Sequence, residues 1–164
     1  MNMTFNLHNK QTGFGLIEAL IALFVFSVGL LGTVGIQAAS MKNNRGALWQ
    51  SQAVWAAYDI ADRMRANTAG LDANEYDAAD TATVPTDPAC IATGCAPAAL
   101  ADTDIVEWAS NVSSLPSGRG LIVRTGSQYR VRVMWDERGN GATGTDCNPN
   151  ALTDLTCVDI SLEL

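Results

Sequence analysis

The chain has 164 residues, 48% of them hydrophobic, and carries a formal net charge of −7 at neutral pH. That length allows one modest domain with an appendage. A chain this acidic is poorly suited to follow nucleic-acid phosphates, so we expect no nucleic-acid partner.

The first element is a long apolar run. Residues 14–36 contain no charged side chain except Glu18. As an α-helix this run would extend about 35 Å, enough to cross a hydrocarbon core of about 30 Å. We therefore expect a membrane-inserting helix, because a buried core helix usually shows a polar face. A carboxylate at membrane depth is costly and tends to mark function.

Two ordinary interpretations of this N-terminus leave features unexplained. A cleaved secretory signal has an apolar stretch of roughly 7–15 residues and a small-residue cleavage site. The run here is longer, and "GIQAAS" matches such a site poorly. A plain uncleaved anchor fits the length but gives no reason for Glu18.

A third interpretation explains both the length of the run and its acid. The stretch "TGFGLIEAL" resembles the processing site of type IV prepilins, where glycine precedes phenylalanine and a glutamate follows at fixed spacing. The apolar residues beyond it resemble those of PilV-type minor pilins most closely. The matching positions are Gly13, Phe14, Gly15, Leu16, Ile17 and Glu18.

The resemblance implies a processing pathway and a role for the acid. A prepilin peptidase would cut between Gly13 and Phe14 on the cytoplasmic side and leave residues 1–13 as a leader. The same enzyme would methylate the new amino group of Phe14. In a filament, the Glu18 carboxylate would meet the cationic amine of Phe14 on a neighbouring subunit. Since a buried charge without a partner is destabilising, this pairing would favour docking in register.

The helix is predicted to continue beyond the membrane. Residues 14–37 form the transmembrane and filament-core part, and residues 38–69 an amphipathic part rich in helix formers, ending near a left-handed cap at Gly70. Apolar side chains recur there at spacings of three and four, which predicts a stripe that docks on a globular head. We expect Trp55 and Tyr58 to hold that head. The stripe comprises Val54, Trp55, Tyr58, Ala61 and Met64.

Residues 70–164 are predicted to form a head of the α+β class, a helix against a small antiparallel sheet. An irregular loop comes first, then a short helix capped by Asp102 or Thr103 and ended by Pro116. The inward face of this helix is predicted to comprise Ile105, Trp108, Ala109 and Val112. "GLIVRT-GSQ-YRVRVMW" predicts a β-hairpin, and "CVDISLEL" a last strand. Alternation along the second strand of the hairpin places on one face Tyr129, Val131, Val133 and Trp135. This layout resembles the type IV pilin head, and residues 105–136 resemble PilV-type heads in particular.

The four cysteines, Cys90, Cys95, Cys147 and Cys157, all follow the apolar run. If that run sends the rest of the chain across a membrane, they reach an oxidising compartment and form disulfides. Three pairings are possible, and nearness in sequence favours Cys90–Cys95 and Cys147–Cys157. The cysteine spacings fit zinc ribbons poorly, so we expect no metal.

No catalytic pattern is apparent. The single histidine, His8, lies in the leader, and the sequence has no Walker or dinucleotide-binding loop. We therefore expect neither an enzyme nor a cofactor, and a membrane-anchored periplasmic enzyme is disfavoured.

The resemblance implies a minor pilin that starts type IV pilus assembly in a minor-pilin complex and supports twitching motility and adhesion. Its expected partners are the prepilin peptidase, other minor pilins, the major pilin, a large tip adhesin and inner-membrane lipid. It would cross the bacterial inner membrane once, with its head in the periplasm, and then reach the pilus tip. The main alternative is a minor pseudopilin of a type II secretion system. A DNA-uptake competence pilin is a second alternative, which the negative net charge disfavours.

Overall fold

The computed structural model describes residues 15–163, which form three helices and one sheet. Contacts divide the chain into two compact units, Met1–Asn43 and Asn44–Leu164. A long helix and a small antiparallel sheet confirm the predicted α+β class. The elements are α1 (Leu16–Ala66), α2 (Thr68–Asp72), α3 (Pro97–Val112), β1 (Arg119–Thr125), β2 (Gln128–Trp135) and β3 (Thr156–Glu163).

Helix α1 is continuous over 51 residues, as the run of helix formers without proline predicted. Its first part is long and apolar enough to cross a membrane by length and composition, with a mean hydropathy of 2.4 and no buried residue in the most apolar stretch. Side chains such as Phe24 and Leu31 are largely exposed. This part of α1 therefore presents apolar surface that only lipid or other helices can cover favourably.

The second part of α1 packs on the head through a face of alanines with one isoleucine and one methionine, not through its aromatic side chains. Trp55 is 79% exposed and Tyr58 52% exposed, so the prediction that they hold the head is wrong. Alanines allow the backbone of α1 to lie close to its neighbours, and the indole Nε1 of Trp108 donates to the carbonyl oxygen of Ala56 at 3.0 Å. The buried face comprises Ala53, Ala56, Ala57, Ile60, Ala61 and Met64.

The predicted left-handed cap at Gly70 is also wrong. The helix ends at Ala66, and Gly70 lies inside the short helix α2. The Asn67 side chain caps α2 by accepting a hydrogen bond from the Gly70 backbone N–H at 3.1 Å. A Cβ atom at position 70 would lie 2.5 Å from Asn67 Nδ2, so close packing is what requires glycine there.

Helix α3 begins earlier than predicted. Its first residue is Pro97, with Ala96 as the N-cap, whereas the sequence suggested a cap at Asp102 or Thr103. Proline suits the first helical position because its missing N–H has no partner there. The predicted inward face, by contrast, is confirmed: Ile105, Trp108, Ala109 and Val112 are all buried.

The sheet has the order β1-β2-β3 and is antiparallel throughout. The predicted hairpin is confirmed, with Gly126 in its turn at φ 65°. Gly120 allows the sheet to lie against the Trp108 ring, because an added Cβ would meet Trp108 Cη2 at 2.5 Å. The core-facing side of β2 is fully buried, as its alternation predicted, and comprises Tyr129, Val131, Val133 and Trp135.

Two disulfides close short loops of the head. Cys90 is joined to Cys95 in the segment before α3, and Cys147 to Cys157, which ties the loop after β2 to the start of β3. This is the pairing that nearness in sequence favoured.

Candidate assembly surface

Glu18 lies in the first turn of α1. Its backbone N–H donates to the carbonyl oxygen of Gly15 at 2.9 Å, which starts the helical hydrogen bonds. A carboxylate at this end complements the positive pole of the helix dipole. Gly13 and Phe14 lie outside the described residues, so the cut site and the pairing of Glu18 with the Phe14 amine stay predictions.

Two hydroxyl side chains in the apolar part of α1 are hydrogen-bonded within the helix. The Ser27 hydroxyl donates to the Leu23 carbonyl oxygen at 2.7 Å, and the Thr33 hydroxyl to the Leu30 carbonyl oxygen at 2.8 Å. Each hydroxyl therefore reaches a partner within the helix, as an apolar environment demands. This part of α1 can therefore enter lipid or a bundle of helices without leaving the two hydroxyl groups unpaired.

Three glycines in the same part of α1, Gly29, Gly32 and Gly35, have nothing within 4 Å of an added Cβ. Small residues on one side of a helix let a second helix approach closely. The glycines thus give this part of α1 a smooth surface for another helix.

A buried polar cluster fixes the second part of α1 to the head. The Tyr76 hydroxyl donates to Asp104 Oδ2 at 2.6 Å and accepts from Asn67 Nδ2 at 3.0 Å. Burial and the neighbouring Asp104 carboxylate raise the pKa of the Tyr76 phenol well above its usual range. Arg63 of α1 reaches the same carboxylate at 3.4 Å. Because every member has a partner, the cluster holds α1, α2 and α3 in one arrangement.

Two aspartates organise the loops around the sheet. Asp80 forms an ion pair with Arg119 at 2.7 Å, and hydrogen bonds from that guanidinium lower the pKa of Asp80 below its usual range. Burial alone would raise the pKa of Asp136, but hydrogen bonds from backbone N–H groups, the Gly141 N–H among them, lower it overall. These carboxylates are occupied by partners from the chain itself. Within residues 15–163, no group of three or more His, Cys, Asp or Glu side chains is placed to hold a metal ion.

Sequence reasoning missed an exposed groove beside α3. Leu48 and Trp55, seven residues apart on α1, lie on one side of it. Its remaining lining residues are small or polar. Once the structure has shown that the alanines at 53, 56 and 57 form the buried face, helical geometry requires Trp55 to point away from that face.

An apolar helix with a glutamate in its first turn, which continues into a small α+β head, is the arrangement of a type IV pilin. The comparisons with known families agree with this class. Residues 8–34 match the prokaryotic N-terminal methylation motif, and residues 35–106 match the Tt1218-like family, described as type IV pilin Tt1218. Comparisons with curated proteins and with solved structures give no match. Together these findings support a type IV pilin, a structural rather than an enzymatic class of protein.

Proposed function

We propose that the chain is a PilV-type minor pilin that primes type IV pilus assembly within a minor-pilin complex at the pilus tip. The observation that carries the proposal is Glu18, placed in the first turn of an exposed apolar helix, five residues after Gly13. The resemblance of residues 105–136 to PilV-type heads supports the minor-pilin assignment. Twitching motility and adhesion follow from the pili whose assembly it starts.

The proposed precursor has four parts. Residues 1–13 are a leader that the prepilin peptidase removes, and residues 14–37 are the transmembrane and filament-core helix. Residues 38–69 are the amphipathic helix, and residues 70–164 the head. The chain crosses the inner membrane once and holds its head in the periplasm, an oxidising compartment in which both disulfides are stable.

Glu18 acts as the docking group in this proposal. Its carboxylate forms an ion pair with the cationic, methylated Phe14 amine of a neighbouring subunit, so that neither charge is buried alone. A carboxylate at membrane depth is costly when it has no partner, which makes pairing in the filament favourable. The partners in this step are other minor pilins and the major pilin, and a large adhesin joins them at the tip.

Deletion of the gene, with complementation by matched variants, tests the proposal. We expect the deletion to abolish surface pili and twitching, the wild-type gene to restore both, and Glu18→Ala to be cleaved but not to restore them. Glu75→Ala, which removes an exposed acid of the head, is the control and restores both. A deletion that leaves pili intact but blocks the release of secreted proteins would instead assign the chain to a type II secretion pseudopilus.

A further inference from the structure

The two outer edges of the sheet differ in how the chain covers them. A segment before α3 lies along β1, where the Ile122 N–H donates to the Ala79 carbonyl oxygen at 2.8 Å. In the same segment, the Thr81 N–H donates to the Gly120 carbonyl oxygen at 3.0 Å. Within residues 15–163, strand β3 makes no backbone hydrogen bond apart from its ladder with β2. The β1 edge is therefore covered, and the β3 edge is open.

The register of the sheet identifies the residues whose backbone groups form the open edge. In an antiparallel pair, residues that exchange hydrogen bonds with the partner strand alternate with residues whose N–H and C=O point away from it. Ile122 points away from β2, because its N–H bonds to the covering segment. Its partner Val131 therefore exchanges hydrogen bonds with Ile160 of β3. The residues of β3 that alternate with Ile160, and whose N–H and C=O point outwards, include Asp159, Ser161 and Glu163.

Strand β3 lacks the features that usually protect an open edge. Natural edge strands are commonly protected by short length, proline, lysine or a bulge. Strand β3 has eight residues, none of them proline, glycine or lysine, and all eight pair with β2 in continuous register. Asp159, Ser161 and Glu163 are exposed. Such an edge can accept a further strand, and main-chain hydrogen bonds then provide the affinity.

We propose that the open edge of β3 binds an extended segment of another subunit, which adds as a fourth strand and alternates cationic with aliphatic side chains. The inference rests on the proposed function only in taking the partner from the same assembly.

The acids of β3 define the cationic face of that segment. On the side of the sheet away from the core, β2 presents Arg130 and Arg132, and β3 presents Asp159 and Glu163. A strand beyond β3 would lie directly beside the acids, and opposite charges on neighbouring strands are favourable. Asp159 binds Arg132 on its β2 side, yet the Asp159 side chain remains 38% exposed.

The same acids make a second copy of the chain a poorer occupant of the edge. Its own β3 would bring another Asp159 and another Glu163 to the shared edge. Like charges on neighbouring strands are destabilising, so a segment of different sequence fits better.

The other face of β3 defines the aliphatic side of the partner segment. Val158 and Ile160 pair with Val133 and Val131, which are fully buried, so these side chains of β3 lie on the core side. Val158 and Ile160 are themselves only partly buried. Aliphatic side chains of an added strand would cover their remaining surface, and removal of apolar surface from water favours association.

Binding of a synthetic peptide to the purified full chain, in a non-ionic detergent, tests the proposal. The probe is a labelled ten-residue peptide in which lysine and valine alternate, and fluorescence anisotropy measures its affinity. Ser161→Pro removes an outward N–H but no hydrogen bond of the β2–β3 ladder, whereas Ser161→Ala keeps that N–H. We expect Ser161→Ala to bind like the wild type and Ser161→Pro to bind at least tenfold more weakly. Equal affinities of the two variants would overturn the proposal.

A change in the probe keeps the test decisive even if Ser161→Pro disturbs the head. The same peptide, N-methylated at every residue, keeps its side chains and charges but cannot donate backbone hydrogen bonds. We expect the wild-type chain to bind it at least tenfold more weakly than the unmethylated peptide. Equal affinities would show that binding does not use the backbone, which would also overturn the proposal.

Charge reversal separates local from general electrostatic attraction. Glu163→Lys changes an acid of the edge, and Glu75→Lys changes an exposed acid outside the sheet, so both alter the net charge equally. We expect Glu163→Lys to weaken peptide binding several-fold and Glu75→Lys to leave it unchanged. Equal losses would mean that the peptide responds to net charge alone, against the proposal.

Complementation of the deletion strain tests whether the partner is another subunit. We expect both Ser161 variants to be processed and to accumulate, but only Ser161→Ala to restore pili. Restoration by Ser161→Pro as well would overturn the assignment to another subunit. Dimers of the wild-type chain that Ser161→Pro abolishes, without peptide binding, would assign the edge to a second copy and overturn it equally. A deletion that leaves pili intact, together with the expected peptide results, would reject the proposed function and still support β3 as a strand acceptor.

Discussion

Replacement of Trp108 by alanine is expected to destabilise the head by about 3–5 kcal/mol, the usual cost of truncating a fully buried tryptophan. The Trp108 side chain is 0% exposed and lies in the core shared by α1, α3 and the sheet. Its indole also donates the hydrogen bond to Ala56 that links α3 to α1. Since domains are typically stable by about 5–15 kcal/mol, this is a large share of the total.

The same chemical change at Trp55 is the matched control. Trp55 is 79% exposed, and we expect Trp55→Ala to change the free energy of unfolding by no more than about 0.5 kcal/mol. Trp108→Phe should cost an intermediate amount, because it loses the hydrogen bond, worth about 1 kcal/mol, and some packing volume. The measurement is urea unfolding of the full chain in a non-ionic detergent, read by pulse proteolysis of the head. An equal loss in the free energy of unfolding for Trp55→Ala and Trp108→Ala would refute the assignment of the buried face of α1.

Three further changes test other parts of the head by the same unfolding measurement. Gly120→Ala should cost about 1–3 kcal/mol through overpacking against Trp108, and a neutral effect would contradict that contact. Asp80 has a lowered pKa when folded, so its stabilising contribution is present above about pH 4 and is lost as the pH falls through the folded pKa. The deficit of Asp80→Asn relative to wild type should therefore shrink on acidification, and a constant deficit would argue against the ion pair. Replacing Cys147 and Cys157 together by serine should lower the free energy of unfolding by about 3 kcal/mol, as the chain-entropy relation gives for a loop of this length. An unchanged free energy of unfolding would contradict a stabilising role for this disulfide.

Several elements could be predicted from the sequence because one physical signal dominates each of them. The long apolar run and the helix formers that follow it, without proline, predict one continuous helix. Two strand-like runs separated by "TGSQ" predict the hairpin, and the alternation after the turn predicts the face of its second strand. The short separations between the cysteines favoured the pairing that the structure has.

The docking face of α1 could not be predicted because its signal is weak. Alanine contributes little to an apolar pattern, so Trp55 and Tyr58 dominated the predicted stripe although they point to solvent. The right face depends on how closely the head approaches the helix backbone, as the hydrogen bond from Trp108 to Ala56 shows. Sequence periodicity alone does not contain that distance.

The predicted helix boundaries were wrong for a related reason. Gly70 suggested a cap, but the Asn67 side chain supplies the cap of α2 and glycine is needed only for space. The start of α3 at Pro97 was missed because Asp102 and Thr103 are also good capping residues. Which of several adequate signals is used depends on tertiary packing.

Intact mass and N-terminal sequencing of the protein from native membranes tests the central claim most directly. The account predicts a chain that begins at Phe14 and carries a methyl group on its amine. A chain that begins at Met1 would contradict it, because an uncut leader blocks the amine that Glu18 is proposed to bind. A chain that begins near Ala39 would also contradict it, since the apolar segment would then have served only for export.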